Sequence, residues 1–119
     1  MNYDKIKNEI KTFVDERDWE QFHSPKNLSM ALSVEASELV EIFQWQKQNE
    51  YKKNEEKIVN AVKDEVADIF YYVVRMCQKM NINLENALLE KMKKNRQKYP
   101  ANKVKGKSTF HSIINYEEC

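Results

Sequence analysis

The run LSMALSVEASELVEIFQW, residues 28–45, decides how this chain folds when it is set beside IVNAVKDEVADIFYYVVRM, residues 58–76. In the first run, Leu28, Leu32, Glu35, Leu39 and Ile42 recur at helical steps. In the second, Ile58, Val62, Glu65, Ile69, Tyr72 and Met76 do the same. At about 100° per residue both glutamates fall near the centre of an apolar stripe, where an aliphatic residue is the ordinary occupant. Each is followed one turn later, on the same side of its helix, by a second acid, Glu38 and Asp68. Two such pairs facing inward place four carboxylates in one core. That cluster repels itself and loses its hydration, so it needs protons or a cation, and a bound divalent metal is the economical solution.

Working outward, Ile6, Ile10, Phe13 and Val14 give a first helix from about Asp4 to Arg17. The segment from Arg17 to Pro25, RDWEQFHSP, breaks that period and concentrates Trp19, Phe22 and His23 in a short connection, more than a plain linker needs. Ser24 is placed to cap a second helix with Pro25 at its first position, and that helix runs to about Gln46. Gln46 to Lys53 is polar and reads as a loop. Asn54 is positioned to cap a third helix reaching about Lys79, with Glu55 and Glu56 at its positive end. Asn83 caps a fourth, carried by Leu84, Leu88 and Met92 and ended by Tyr99-Pro100. The chain therefore reads as an all-α four-helix bundle over residues 1–100, followed by a basic tail, residues 101–119, with Lys103, Lys105 and Lys107 around the single glycine, Gly106.

Composition agrees with one helical domain. The 119 residues are 33% charged and 41% hydrophobic, with one glycine and two prolines, a profile that disfavours turn-rich β folds. A formal net charge of +1 offers no general attraction to nucleic acid or to membrane surfaces. The two cysteines, Cys77 and Cys119, form no disulfide framework or metal spacing, and Cys77 reads as a small buried hydrophobe. No secretory leader or membrane span is apparent, so the expected location is the cytoplasm. With so little sequence per core, pairing of two chains is expected.

The chemistry follows from the donor types. Glu35, Glu38, Glu65 and Asp68 offer only oxygen, with no histidine three residues after either glutamate, and hard oxygen ligands suit Mg²⁺ or Mn²⁺. The competing reading is that ExxE pairs are frequent on solvated helices; two pairs both centred on apolar stripes argue against it. Glu41 rotates toward the wet face. On the fourth helix Lys91 and Asn95 fall on the stripe of Leu84 and Leu88, with Lys94, Arg96 and Lys98 nearby. Lys91, Lys94, Asn95 and Lys98 are the candidate phosphate contacts, unless Lys91 snorkels and Asn95 only caps a frayed end. Trp19, His23, Trp45 and Tyr72 bracket the acids in sequence and could sandwich a nucleobase, their alternative being core packing. No glycine-rich phosphate loop and no Ser/His/Asp or Cys/His nucleophile is present, so phosphate handling rests on metal and basic side chains, which is consistent with metal-assisted hydrolysis by water.

At these residues the sequence resembles the MazG-like all-α nucleoside triphosphate pyrophosphatases, most closely their dCTP pyrophosphatase branch. The pattern ExxE, spacer, ExxD looks like Glu35, Glu38, Glu65 and Asp68. RDWEQFHSPKNL, residues 17–28, is similar to the branch signature almost letter by letter, and EIFQW, residues 41–45, and NRQKYP, residues 95–100, extend the match. The resemblance implies cleavage of the α–β phosphoanhydride of a nucleoside triphosphate, dCTP or a modified dCTP, to the monophosphate and pyrophosphate. It also implies Mg²⁺ on the four acids and base binding by Trp19, His23, Trp45 and Tyr72; among the acids, Glu38 and Glu35 are the expected catalytic carboxylates. Assembly as a homodimer or dimer of dimers follows from the same resemblance. Ile10 stands where some relatives have a base-site histidine, and Ala36-Ser37 replaces the Val-Gly often found between the first two acids. A broad-range or dUTP-directed pyrophosphatase and a non-catalytic, metal-binding helical interaction module remain the alternatives.

Overall fold

A computed structural model describes residues 1–47, 52 and 54–107. It contains α1 (Tyr3–Glu16), a 3₁₀ turn (Glu20–Phe22), α2 (Pro25–Phe43), α3 (Glu55–Met80), α4 (Leu84–Lys98) and α5 (Ala101–Val104), with no strand among the described residues. The all-α reading therefore stands. The chain divides into two compact units, one from Met1 to Ile82 and one beginning at Asn83.

In the first unit both α1 and α2 pack on α3. Among the described residues, the buried apolar side chains are Val14 from α1, Leu28 from α2, and Val74 and Cys77 from α3. Met30, Val34 and Val40 of α2 and Val59 and Val66 of α3 are exposed.

The helix ends explain how the connection between α1 and α2 is aimed. Asn2 opens α1 by accepting from the Lys5 N–H at 3.1 Å. At the other end, Trp19 N–H reaches the Val14 carbonyl at 3.1 Å and Asp18 N–H reaches Asp15 at 3.1 Å. These two bonds, with Asp18 in the left-handed region at φ 54°, form a Schellman cap in which aspartate occupies the position glycine usually takes. The cap turns the chain back so that Trp19 meets Phe13 edge-on, ring centroids 5.6 Å apart. Ser24 then accepts from Asn27 N–H at 3.1 Å, with Pro25 in the first turn, and α2 begins as its sequence predicts.

Three boundaries differ from expectation. The second helix ends at Phe43 rather than near Gln46, because a turn closed by Gln46 N–H on the Phe43 carbonyl at 2.9 Å follows it. Trp45 therefore sits in that turn and not on the helix. Asn54 stands at the start of α3 but its side chain makes no capping bond. The segment after Pro100, expected to be a tail, begins with the helical turn α5, and Gly106 takes φ 77°. Residues 48–51 and 53 of the expected loop, and residues 108–119 of the tail with His111 and Cys119, lie outside the described residues.

Candidate functional site

Facing helices deliver the carboxylates. Glu35 and Glu38 from α2 and Glu65 from α3 are each half-buried, and each offers an oxygen within 4.8 Å of the others. One oxygen of Glu35, Oε2, and one of Glu65, also Oε2, is removed from solvent without a hydrogen-bond partner. An orphaned buried carboxylate oxygen is costly, and two of them in one three-acid cluster fit the donor set of a divalent cation. The electrostatics agree. Burial pushes the Glu35 carboxyl up from 4.5 to about 7, reinforced by contact with Glu65 and Glu38 and by the Asp68 charge. Glu65 is raised as well, first by burial and then by Glu38. Asp68 is exposed and is not one of the close trio, though its charge reaches Glu35, Glu65 and Tyr72.

Next to the acids lies an aromatic cluster. Phe13 meets both Trp19 and Tyr71 edge-on, at 5.6 and 6.0 Å, and Tyr71 meets Tyr72 at 4.9 Å. Arg17 stacks its guanidinium on the Phe13 ring at 3.9 Å. Burial raises the Tyr72 hydroxyl, and Glu35 and Asp68 raise it further. Tyr72 therefore lies in the field of the acids at one side and in ring contact with the cluster holding Trp19 at the other. The Tyr71 hydroxyl is buried without a partner.

A polar anchor completes the unit. Arg75, only 1% exposed, donates from Nη2 to Glu20 Oε2 at 2.5 Å, from Nη1 to Gln78 Oε1 at 2.7 Å, and from Nε to His23 Nδ1 at 3.1 Å. Gln78 in turn donates to the Lys7 carbonyl of α1 at 3.1 Å, and Lys79 donates to Glu20 Oε1 at 2.9 Å. The bonds of Lys79 and Arg75 hold the Glu20 carboxyl down at about 2. These contacts tie the 3₁₀ turn, and with it Trp19 and His23, to α3.

The family model matched by residues 30–110 is that of the MazG-like family. The chain belongs to the MazG-like family. A rat protein named dCTP pyrophosphatase 1 is 39% identical over 104 residues, covering 86% of this chain and 61% of the rat protein. The human protein of the same name is 39% identical over 107 residues with the same coverage. The present chain thus spans 61% of the length of those curated relatives. A crystal structure of a pyrophosphatase from Archaeoglobus fulgidus DSM 4304 superimposes with a TM-score of 0.77 at 35% identity, covering 84% of this chain and 94% of that one.

For this MazG-like chain the structure brings together Glu35, Glu38 and Glu65 among the expected ligands; of the expected base contacts, Trp19 and Tyr72 are linked through the Phe13 and Tyr71 rings, and His23 is held by Arg75. Trp45 follows α2 and is 84% exposed. Lys91, Lys94 and Lys98 are exposed on α4 and Asn95 is half-buried there, in the second unit. The sequence reading missed Phe13 and Tyr71 as members of the aromatic cluster, and Arg75, Glu20 and Gln78 as its anchor. The available signal was an arginine inside the apolar run YYVVRMC, residues 71–77.

Proposed function

We propose that this MazG-like chain is a Mg²⁺-dependent nucleoside triphosphate pyrophosphohydrolase acting on dCTP or a modified dCTP and yielding the monophosphate and pyrophosphate. One observation carries the reading: two orphaned buried carboxylate oxygens, from Glu35 and Glu65, in a three-acid cluster beside an aromatic group. The names of the rat and human relatives and of the archaeal structure support the same reaction class.

Glu35, Glu38, Glu65 and Asp68 are proposed to hold Mg²⁺, with Mn²⁺ a chemically similar substitute. Bound there, the ion supplies charge neutralisation for the triphosphate and a lowered pKa for an attacking water. Glu38 is the proposed proton acceptor, since Glu35 and Glu65 each commit an oxygen to the buried interior. Trp19 and Tyr72 are proposed to bound the base and Trp45 to cover it, stacking being worth roughly 1–3 kcal/mol per base. His23 would read the edge of that base. Lys91, Lys94, Asn95 and Lys98 are the proposed phosphate contacts on sequence grounds. Exposure of Val34, Val40 and Val66 supports self-association as a homodimer or dimer of dimers. The domain proposed to carry this activity is residues 1–100, and its proposed location is the cytoplasm.

The test is a panel of deoxynucleoside and ribonucleoside triphosphates with Mg²⁺, scored for monophosphate and pyrophosphate. Release of dCMP and pyrophosphate from dCTP, well ahead of the purines, is the expected result. Equal turnover of all bases would discard the base site and keep the metal site. Mg²⁺ binding without any product would replace the enzyme with an interaction module.

A further inference from the structure

The polar anchor has a chemical consequence for His23. A guanidinium has only donors, so the Nδ1 of His23 that receives the Arg75 Nε–H at 3.1 Å must be unprotonated. The single hydrogen of the neutral ring then sits on Nε2. Arg75 cannot swing away to release this constraint. Its other arms are held by Glu20 and Gln78, and it is 1% exposed. The groups facing His23 act in both directions: Arg75 and Lys79 of α3 disfavour an imidazolium, and Glu20 of the 3₁₀ turn favours one. Burial is the largest influence and, with Arg75, leaves the ring more reluctant than usual to take a second proton.

We propose that Arg75 is a positioning residue of the nucleotide site: by donating to Nδ1 it locks His23 as the Nε2–H tautomer, so that the proposed base site offers a hydrogen-bond donor to a carbonyl acceptor on the pyrimidine ring. The tautomer half follows from the protein alone, and the base-reading half rests on the proposed hydrolase activity. Three partners fixing the guanidinium make the lock rigid before substrate arrives. A site built around a fixed donor penalises any base that presents a donor in return, because two facing hydrogens leave both groups unsatisfied.

Two measurements test it. Imidazole nitrogen NMR of the unmodified protein near pH 7, assigned with His111→Gln, should show His23 neutral with its hydrogen on Nε2. An Nδ1–H tautomer or an imidazolium overturns the lock. In steady-state hydrolysis of dCTP, Arg75→Lys should raise KM about tenfold, the effect of losing one hydrogen bond to an aligned group, with kcat within about twofold of wild type. His23→Ala should do the same, and the double variant should be no worse than either single one. Additive losses in the double variant, or a fall in kcat at unchanged KM, overturn the positioning role. The spectrum of the unmodified protein decides the lock even where Arg75→Lys does not fold. An Nε2–H tautomer in a protein that hydrolyses no nucleotide refutes the hydrolase and leaves the lock standing. An Nδ1–H tautomer in an active enzyme refutes the lock alone.

Discussion

Replacing Glu35 with glutamine should make the metal-free protein more stable at pH 8 and leave it little changed at pH 4. The carboxyl of Glu35 goes from 4.5 to about 7 on folding, chiefly through burial against Glu65 and Glu38. A change of that size corresponds to roughly 3 kcal/mol between the two protonation states. Glu35 is only half-buried, so solvent screening reduces the realistic figure to about 1–2 kcal/mol. The sign follows from proton counts. Between pH 4.5 and about 7 the folded chain holds a proton on Glu35 that the unfolded chain has lost, so stability falls as pH rises through that window. Below 4.5 both states are protonated and the penalty vanishes. Glu35→Gln has no proton to lose, and its advantage over wild type should open across the same window. The assay is urea unfolding followed by circular dichroism at a series of pH values in EDTA. Adding Mg²⁺ at pH 8 should raise wild-type stability and leave the variant nearly unmoved, since the cation then does what the lost charge did. At pH 5 the same addition should do less, protons competing for the carboxylates. A variant less stable than wild type at pH 8, or a difference that does not change with pH, would refute the account of a mutually repelling, desolvated acid cluster.

Other perturbations probe the remaining features. Alanine at Glu38 or at Asp68 should abolish the proposed dCTP hydrolysis while the helical circular dichroism is retained; full turnover in both variants would remove them from the site. Glu20→Ala leaves the buried Arg75 without its carboxylate and should cost about 2 kcal/mol, less than a wholly enclosed pair because 43% of the Glu20 side chain is exposed. That loss should shrink in acid, since a carboxyl held at about 2 contributes stability present above pH 4.5 and lost as pH falls toward 2. Asp18→Gly should raise the melting temperature, relieving about 1 kcal/mol of left-handed backbone strain at φ 54°, offset in part by loss of the bond from Gln21 to Asp18 Oδ2 at 3.1 Å.

Helical periodicity made the acid cluster visible before any coordinates. A glutamate centred on an apolar stripe is an energetic contradiction within a dozen residues, and local spacing is enough to expose it. Ser24-Pro25 was legible for the same reason, since a cap and a first-turn proline act only on their neighbours. Arg75 was not. Its partners His23 and Glu20 are 52 and 55 positions away, and no period of 3.6 reports on them. In sequence its place inside the apolar run YYVVRMC marks it as unusual, but nothing local says what it pairs with. Asp18 escaped because the usual mark of a left-handed cap is glycine, and aspartate carries that geometry only when the turn around it is already built. On α4 the spacing of Leu84 and Leu88 predicted a helix correctly, yet Leu88 and Leu89 stay exposed, because an amphipathic pattern says which face wants cover and not what supplies it.

One helix carries two of the acids, the ring beside them and the guanidinium that anchors the 3₁₀ turn: Glu65, Asp68, Tyr72 and Arg75 all belong to α3. The distance between where phosphate chemistry is proposed and where a base is proposed to be read is therefore a matter of helical rise and rotation. Insertions in the loops at either end of α3 alter neither quantity. A single residue added or removed between Glu65 and Arg75 turns one group by about 100° relative to the other and shifts it by about 1.5 Å. Length variation should accordingly be tolerated in the loops that flank α3 before it is tolerated within that stretch, and a redesign of base preference is best confined to side-chain replacement on the 3₁₀ turn, leaving the register of α3 untouched.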